Sequence, residues 1–571
     1  MDRGAFMNNA EVAFACASAF VDGLVASGLE HVCVSPGSRS TPIVLAFARD
    51  DRVWVHVHLD ERASAFVALG IAKASGRPAA VVCTSGTAAA NLFPAVVEAS
   101  MSRTPLLALT ADRPPELRGV GANQTIDQRD LFGRYVRWHV DAPVPDERRD
   151  AGRLWRLLGR EAYEHACRPG PVHVNLPYRD PLVPGGEAVP FDDEPSFSTE
   201  ARAPGFGRAP TEEDVEALVS VLGGVERGLV YVGSLRRPAT EIVELGARLG
   251  WPVVAEPTSG VRVPGTLAAG GALLADEAFA RGHVPDLVVQ FGAAPTSRPA
   301  LAVVGTAGGL VIVDPDDLVA DPHRRASRRF VVDAAGLADA ATRRLAHRED
   351  GEWMSRWRTA DAAARHAIDA TIDGWDEPFE GRLARDVAAA APEGSVLLVG
   401  SSMPVRDLDG YMAPREGLRV LANRGASGID GFVSTALGVA ATGATTTVLC
   451  GDLTLLHDVG SLLWSARGRH DVVFVVPNND GGVIFSFLEH RALPELEELF
   501  TTPHGLDLGA VCAAAGAGHR RVERARDLVP TLDRARDDGG VQVVEVPIDR
   551  ERNVRRHAEV QAAVAGAVGE G

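Results

Sequence analysis

The chain has 571 residues, 46% hydrophobic and 23% charged, with 58 lysines and arginines against 76 aspartates and glutamates. At roughly 100–200 residues per domain it has room for three or four domains, and its composition excludes a disordered, collagen-like or disulfide-stapled chain. The net charge of −18 argues against a general nucleic-acid or anionic-membrane binder, because phosphate binding is built on excess basic charge.

From the N-terminus, Asn8 and Asn9 read as the cap of a helix. Its stretch Val12–Phe20 faintly imitates a secretory h-region, but Asp2 and Glu11 spoil the positive flank such a signal needs. No run approaches ~18 consecutive apolar residues, so a cytoplasmic protein is expected. Short apolar runs then alternate with Ala-rich helical patterns. His31–Val34, Val53–His58, Ala79–Cys83, Leu106–Thr110 and Val172–Leu176 read as strands, and the alternation predicts βαβ units around parallel sheets. Val183–Pro210, crowded with Pro, Gly and acidic residues, reads as a linker.

A second βα rhythm follows in Gly228–Val232, Pro252–Ala255, Asp286–Phe291 and Leu310–Val313. Gly233 and Gly292 end two of these strands, but neither sits in GxGxxG, so the dinucleotide-binding signal is weak. His347–Phe379 is polar, with helical pattern and no strand. The last block carries Val396–Val399, Thr446–Cys450, Val472–Val476 and Val541–Val546 as strands. Cutting at the two polar stretches gives blocks at 1–185, 205–345 and 375–571. The fold class expected is α/β, with three doubly wound domains built on mainly parallel sheets. The first and third blocks look like similar layers.

Lys73 is the only lysine, and Ala74 follows it, which excludes a P-loop. Any anion recognition therefore falls to arginine, whose rigid fork suits carboxylates and phosphates. The six cysteines are scattered without a CxxC and read as buried thiols in a reducing compartment.

Two loops carry the strongest chemical pattern. Gly451-Asp452 ends one apolar strand and Asn478-Asn479-Asp480-Gly481-Gly482 ends the next, both where a parallel sheet opens its ligand crevice. A carboxylate, an amide oxygen and a loop carbonyl form a hard-oxygen set suited to Mg²⁺, with Mn²⁺ as an alternative. In the first block, Leu59-Asp60-Glu61-Arg62 follows a strand and opens a helix, with Asp60 a candidate cap and Glu61 in the first turn. Thr84-Ser85-Gly86-Thr87, at the next strand-to-helix turn, borders a ligand or forms an ordinary N-cap. His56 and His58 alternate on one strand without a third ligand nearby, so strand packing is expected rather than a metal pair.

Together, Gly451-Asp452 and Asn478-Asn479 resemble the thiamine-diphosphate signature, departing from its general form at Leu453. The resemblance extends through Ser35-Pro-Gly-Ser-Arg-Ser-Thr-Pro42, Asp60-Glu-Arg62, Thr84-Ser-Gly-Thr87, Thr110-Ala-Asp-Arg-Pro-Pro-Glu-Leu117 and Gly121-Ala-Asn-Gln124. It continues in Asn423-Arg-Gly-Ala-Ser-Gly-Ile-Asp430, Gly451-Asp-Leu-Thr454 and Asn478–Phe485. Along its whole length the chain thus resembles the thiamine-diphosphate decarboxylase superfamily. Within it, the chain is similar to the 2-succinyl-5-enolpyruvyl-6-hydroxy-3-cyclohexene-1-carboxylate synthase family, where Gly-Asp-Leu is usual.

That resemblance implies a transferase that decarboxylates 2-oxoglutarate with thiamine diphosphate and Mg²⁺. What remains is added to isochorismate in a conjugate (1,4) addition, in menaquinone biosynthesis. It implies pyrimidine-binding, middle and diphosphate-binding domains in that order, in a homodimer or homotetramer with interfacial active sites, and no nucleic-acid or membrane partner. Glu61 is expected against N1′ of the aminopyrimidine, whose 4′-nitrogen then takes the proton from the thiazolium C2. Thr84, Ser85, Gly86, Ser401, Ser402, Ser427, Gly428, Ile429 and Asp452 are expected at the cofactor, and Asp452, Asn479 and the Gly481 carbonyl at the metal.

Both substrates are dicarboxylates, so an acidic protein must concentrate cations locally. Ser38, Arg39, Arg113, Asn123, Gln124, Arg406 and Arg424 are expected to line the pocket, with Arg298 as an addition from the middle domain. Ile429 is either an apolar wedge that bends the cofactor or plain core. Ile484, Phe485 and Leu488 either wall the pocket or form one buried helical face. His457 is shared with the family pattern and has no role assigned. Two other readings stay open: another thiamine-dependent 2-oxo-acid decarboxylase or carboligase, and a non-catalytic nucleotide-binding protein using the middle domain.

Overall fold

The structure, a computed structural model, describes residues 8–185, 207–316, 320–468 and 470–569; most of the linker read at Val183–Pro210 lies outside them. The chain divides into two compact units. One comprises Met1–Gly205, Asn423–Ala444 and Leu456–His470, the other Phe206–Ala422, Thr445–Leu455 and Asp471–Gly571.

The first unit holds a parallel sheet of β1 (His31–Val34), β2 (Trp54–Val57), β3 (Ala79–Cys83), β4 (Leu106–Asp112), β5 (Trp138–Asp141) and β6 (Val172–Pro177), in the order β2-β1-β3-β4-β6-β5. Side chains alternate between the faces of a strand. Val82, Leu107, Leu109 and Val174 accordingly pack with Phe14, Phe20 and Trp155 from the helices Asn9–Ala26 and Ala151–Ala166. Val81, Cys83, Leu106 and Ala108 pack with Phe66, Leu69 and Val96 from Glu61–Ser75 and Phe93–Met101.

The helix Asn9–Ala26 begins with a capping box between Asn8 and Glu11. It is long and apolar enough to cross a membrane, yet most of it is buried, which makes it a core helix. Helix Phe432–Ala441 lies against Glu61–Ser75 so closely that a Cβ on Gly70 or Gly438 would stand 2.1 Å from the Thr435 or Val67 carbonyl oxygen.

The second unit holds two parallel sheets. The smaller is built from β7 (Gly228–Val232), β8 (Val253–Ala255), β9 (Leu287–Phe291), β10 (Leu310–Val313) and β11 (Ala326–Phe330), in the order β11-β10-β9-β7-β8. The larger uses β12 (Ser395–Val399), β13 (Leu418–Leu421), β14 (Thr446–Leu449), β15 (Val472–Asn478), β16 (Gly518–Arg521) and β17 (Val541–Pro547), in the order β13-β12-β14-β15-β17-β16. This repeats the order of the first sheet, so the likeness of the first and third blocks extends to topology.

The three mainly parallel sheets with alternating helices are the α/β class the sequence predicts. Four strands escape the sequence reading: β5, β11, β13 and β16, each at a sheet edge. The two glycines of the weak dinucleotide signal serve packing instead. A Cβ on Gly233 would lie 2.0 Å from the Ala293 oxygen, and one on Gly292 would lie 2.5 Å from the Ser234 oxygen. The two loops fill each other's space.

Candidate active site

In the first unit, candidate residues gather at the carboxyl ends of the adjacent strands β2, β1, β3 and β4. After β2, Asp60 caps the next helix, its Oδ1 accepting from the Arg62 and Ala63 amides at 2.8 and 3.3 Å. That leaves Glu61 as the half-buried carboxylate of the first turn. It sits close enough to the end of β3 for its charge to add to the burial that pushes the Cys83 thiol up.

The turn after β3 is tied to the loop after β4. Ser85 Oγ donates to the Gln124 carbonyl at 2.9 Å, Gln124 Nε2 donates back to the Ser85 carbonyl at 3.0 Å, and the Gly86 amide donates to Gln128 Oε1 at 2.9 Å. Gly37 belongs here for space, since a Cβ there would stand 2.3 Å from Thr84 Cβ.

Two expected substrate residues stand together in this frame. Arg39 is buried, its guanidinium donating to the Tyr178 carbonyl at 2.8 Å and to Asp180 at 3.0 Å, with Nε left without a partner. Arg113 donates to Ser85 Oγ. Burial and the charge of Arg39 together lower its pKa, against the pull of Asp180 and Asp112. Two guanidiniums close enough to repel each other form a place for an anion. Ser38, Asn123 and Gln124 lie at the exposed rim.

The loop after Asn423 has a buried support the sequence reading missed. Glu98, far away in sequence, accepts from the Gly425 and Ala426 amides at 3.1 and 2.7 Å, and from Lys73 Nζ at 3.1 Å. The chain's one lysine thus neutralises the carboxylate that shapes this loop. Arg424 stands half-buried at the start of the loop, Ser427 turns it with a left-handed φ of 61°, and Gly428 and Ile429 are half-buried. Ile429 is therefore not plain core. His457 is exposed.

In the second unit the candidates sit at the ends of the neighbouring strands β12, β14 and β15. Ser402, with φ 72°, opens the helix Met403–Tyr411, and Arg406 donates back to its carbonyl. Ser401 is buried beside it. Asp452 is 1% exposed. Burial raises its pKa, while the Gly481 and Leu453 amides, at 3.0 and 2.6 Å, and His504 stabilise its charge.

Asn479 is also buried. Its Nδ2 donates to Glu380 at 2.8 Å, which leaves Oδ1 buried with no partner at all. The oxygen belongs to the loop whose Gly481 amide holds the buried Asp452 carboxylate, and a buried oxygen left orphaned is costly unless something positive meets it. The arrangement fits a hard divalent cation carrying phosphate oxygens.

Gly481 has φ 135°, and a Cβ there would stand 2.2 Å from the Thr501 carbonyl oxygen, so only glycine holds the loop. Its carbonyl accepts from the Val483 amide at 3.1 Å, which leaves one lone pair for a metal.

His504 is a further residue the sequence did not signal. Its Nε2 lies 3.4 Å from Asp452 and its own amide donates to Asp480 at 2.9 Å. Among the described residues no three His, Cys, Asp or Glu side chains form a metal cluster, and His56 pairs with His31 at 3.1 Å instead. Ile484, Phe485 and Leu488 do not share a helical face. They follow the metal loop on and after a short 3₁₀ segment, all half-buried, with Phe485 packed on His490 and Phe500. Arg298 is exposed at the start of its helix.

The sheets and the loops at their carboxyl ends define a thiamine-diphosphate enzyme, and the family matches agree. Residues 15–131 match the thiamine pyrophosphate enzyme N-terminal TPP binding domain, residues 214–399 the middle domain of thiamine pyrophosphate enzymes, and residues 406–546 the C-terminal TPP binding domain.

Among curated relatives, a 2-succinyl-5-enolpyruvyl-6-hydroxy-3-cyclohexene-1-carboxylate synthase of Thermobifida fusca (strain YX) is 44% identical over 566 residues, covering 97% of this chain and 99% of that one. Synthases of the same name from Geobacillus kaustophilus (strain HTA426) and Chloroflexus aurantiacus (strain ATCC 29366 / DSM 635 / J-10-fl) are 39% and 41% identical. They cover 95% and 96% of this chain and 96% of each relative. The chain belongs to the 2-succinyl-5-enolpyruvyl-6-hydroxy-3-cyclohexene-1-carboxylate synthase family.

Proposed function

We propose that the chain decarboxylates 2-oxoglutarate with thiamine diphosphate and Mg²⁺ and joins the remaining fragment to isochorismate by conjugate (1,4) addition, releasing CO₂, in menaquinone biosynthesis. The observation that carries this reading is the buried pair of Asp452 and the unpartnered Asn479 oxygen, braced by an amide of Gly481. Asp452, Asn479 and the Gly481 carbonyl hold the metal. Ser401 and Ser402, at the turn after β12, and Ser427 and Gly428, in the loop after Asn423, offer amides and hydroxyls suited to a diphosphate. The blocks at 1–185, 205–345 and 375–571 serve as pyrimidine-binding, middle and diphosphate-binding domains.

When bound, the cofactor supplies a nucleophilic carbon and an electron sink for the loss of CO₂. The protein's own groups do the rest. Glu61 holds a proton at the ring nitrogen N1′; a half-buried carboxylate whose neighbour Asp60 takes the capping duty is free to do so. Thr84, Ser85 and Gly86 form the adjoining wall. Arg39 and Arg113, with Arg406 and Arg424, bind carboxylates, while Ser38, Asn123 and Gln124 orient polar groups at the rim. Ile429, Ile484, Phe485 and Leu488 exclude water. Arg298, exposed at the start of its helix, is the addition from the middle domain.

The assembly proposed is a homodimer or homotetramer. Trp54, Val57 and Leu59 are 69%, 55% and 64% exposed just before Glu61, an apolar edge suited to another subunit.

The deciding assay follows isochorismate consumption with 2-oxoglutarate, with and without thiamine diphosphate and Mg²⁺. Consumption that needs all three additions supports the proposal. Release of CO₂ from pyruvate in place of 2-oxoglutarate would assign the chain a different thiamine-dependent reaction.

A further inference from the structure

The orientation of Asn479 is not left to chance. Its amide nitrogen points at Glu380 Oε1, 2.8 Å away, and the other carboxylate oxygen of Glu380 accepts from Asn553 Nδ2 at 2.9 Å. Asn553 in turn accepts from the Glu380 backbone amide at 3.2 Å, so the two residues grip each other through both ends. Glu380, Asn479 and Asn553 are 4%, 6% and 2% exposed.

The brace continues. His557 Nδ1 faces the Asn553 carbonyl at 2.9 Å and its Nε2 faces Asp407 at 2.8 Å. The carbonyl only accepts, so Nδ1 carries a proton; burial works against a charge on the ring, but the Asp407 carboxylate outweighs it and raises the ring's pKa. Phe379, Tyr411 and Phe487 pack around the ring. Four segments distant in sequence therefore converge on one amide.

We propose that Glu380, held by Asn553, is a positioning residue that fixes which end of the Asn479 amide faces the metal, and so sets the affinity for the divalent cation. The physical reason is the two-fold ambiguity of an amide. In isolation Asn479 presents oxygen or nitrogen to the same space at little cost. A carboxylate behind it accepts only from N–H, so the nitrogen is drawn to Glu380 and the oxygen is left at the cation position. Outer partners of this kind typically tune metal affinity by about 10–100-fold. A glutamine at position 380 offers both a donor and an acceptor. It satisfies Asn553 and Asn479 only by turning one of them around.

This inference rests on the reading of Asp452, Asn479 and Gly481 as metal ligands, and the test separates the two. Wild-type protein, Glu380→Gln, Asn553→Ala and Asp452→Ala are stripped of metal and cofactor and checked for folding by circular dichroism and thermal midpoint. Each is then titrated with Mg²⁺ at fixed thiamine diphosphate by calorimetry, and with Mn²⁺ by electron paramagnetic resonance of the bound ion. Turnover is measured across the same Mg²⁺ range.

The expected result is a 10–100-fold rise in the half-saturating Mg²⁺ concentration for Glu380→Gln, with turnover returning to within a few-fold of wild type when Mg²⁺ saturates. Asn553→Ala should shift in the same direction by less. A purely structural role would lower the thermal midpoint and leave the titration unmoved. If Asp452→Ala loses the ion while folded Glu380→Gln and Asn553→Ala bind it like wild type, the positioning role is wrong and the metal loop stands. If Asp452→Ala also binds like wild type, both readings fall together. Should Glu380→Gln not fold, Asn553→Ala decides alone.

Discussion

Lys73 and Glu98 make the sharpest prediction, because the sequence gives no hint that a lysine in an Ala-rich helix matters. The pair is 3.1 Å apart with side chains only 9% and 4% exposed, and Glu98 also takes the amides of Gly425 and Ala426. Removing one partner of a buried pair leaves an uncompensated charge, at a cost of about 3–5 kcal/mol. Lys73→Met should spend that cost on releasing the 423–430 loop.

At 1.4 kcal/mol per tenfold, the Gly425 and Ala426 amides should exchange with solvent faster by roughly 10²-fold to several thousandfold. The assay is hydrogen exchange by mass spectrometry on the peptide spanning residues 423–430, under conditions where reclosing outpaces exchange. Glu98→Gln alone should also loosen the loop, because the neutral amide cannot accept from both backbone N–H groups and the lysine. The double variant Lys73→Met/Glu98→Gln should be less damaged than the sum of the singles, since no buried charge remains unpaired. Exchange in Lys73→Met within threefold of wild type, or strictly additive singles, would refute the reasoning.

Three other outcomes follow from the geometry. Glu61→Gln should keep cofactor affinity yet lose turnover by about 10²–10⁴-fold, the usual worth of a positioned acid or base; near-normal turnover with intact binding would remove Glu61 from the reaction. Arg113→Met should cut kcat/KM for 2-oxoglutarate by about 10–100-fold, matching roughly 1.5–3 kcal/mol for a charged hydrogen-bonded pair, and an unchanged value in steady-state kinetics would place the anion elsewhere. Acid should destabilise the first unit through His56 and His58, whose rings burial chiefly, then nearby histidines, hold neutral, lowering their pKa from 6.5 to about 4. The unfolded chain takes up these protons first, so the stability is full above pH 6.5 and is lost as pH falls toward 4. At pH 5 the loss is about 2 kcal/mol per ring, and a thermal midpoint flat from pH 7 to 5 in chemical or heat denaturation would contradict it.

The strands legible in the sequence are mainly those buried on both faces. Leu106–Asp112, Val172–Pro177 and Val472–Asn478 lie inside their sheets and run almost continuously buried, so they stand out as apolar runs. The four that went unread, Trp138–Asp141, Ala326–Phe330, Leu418–Leu421 and Gly518–Arg521, are all edges, and none runs buried along its length. Trp138–Asp141, Ala326–Phe330 and Gly518–Arg521 turn polar or charged side chains to solvent, with two arginines side by side in the last two, while Leu418–Leu421 is only four residues long and broken by Arg419. A window that scores hydrophobic runs therefore sees loops. Edge strands are kept charged and short to avoid pairing with another chain, so the trait that protects them also hides them.

The site divides along a similar physical line. Glu61, Asp452, Asn479 and Gly481, the residues proposed to meet cofactor and metal, stand out in the sequence because they sit on tight turns at strand ends, where neighbouring residues must be small, capping or left-handed together. The turn chemistry forces a contiguous signature. The residues that hold those turns in place obey no such constraint. Glu98 reaches Gly425 from 327 positions away and Glu380 reaches Asn479 from 99. Each only has to bring one carboxylate into a buried hole, which any helix passing at the right height can do. Sequence spacing carries no trace of that requirement. What betrays it is the hydrogen-bond balance in space: a buried carboxylate that holds the amides of a loop far away in sequence, and a buried amide whose oxygen is left without a partner.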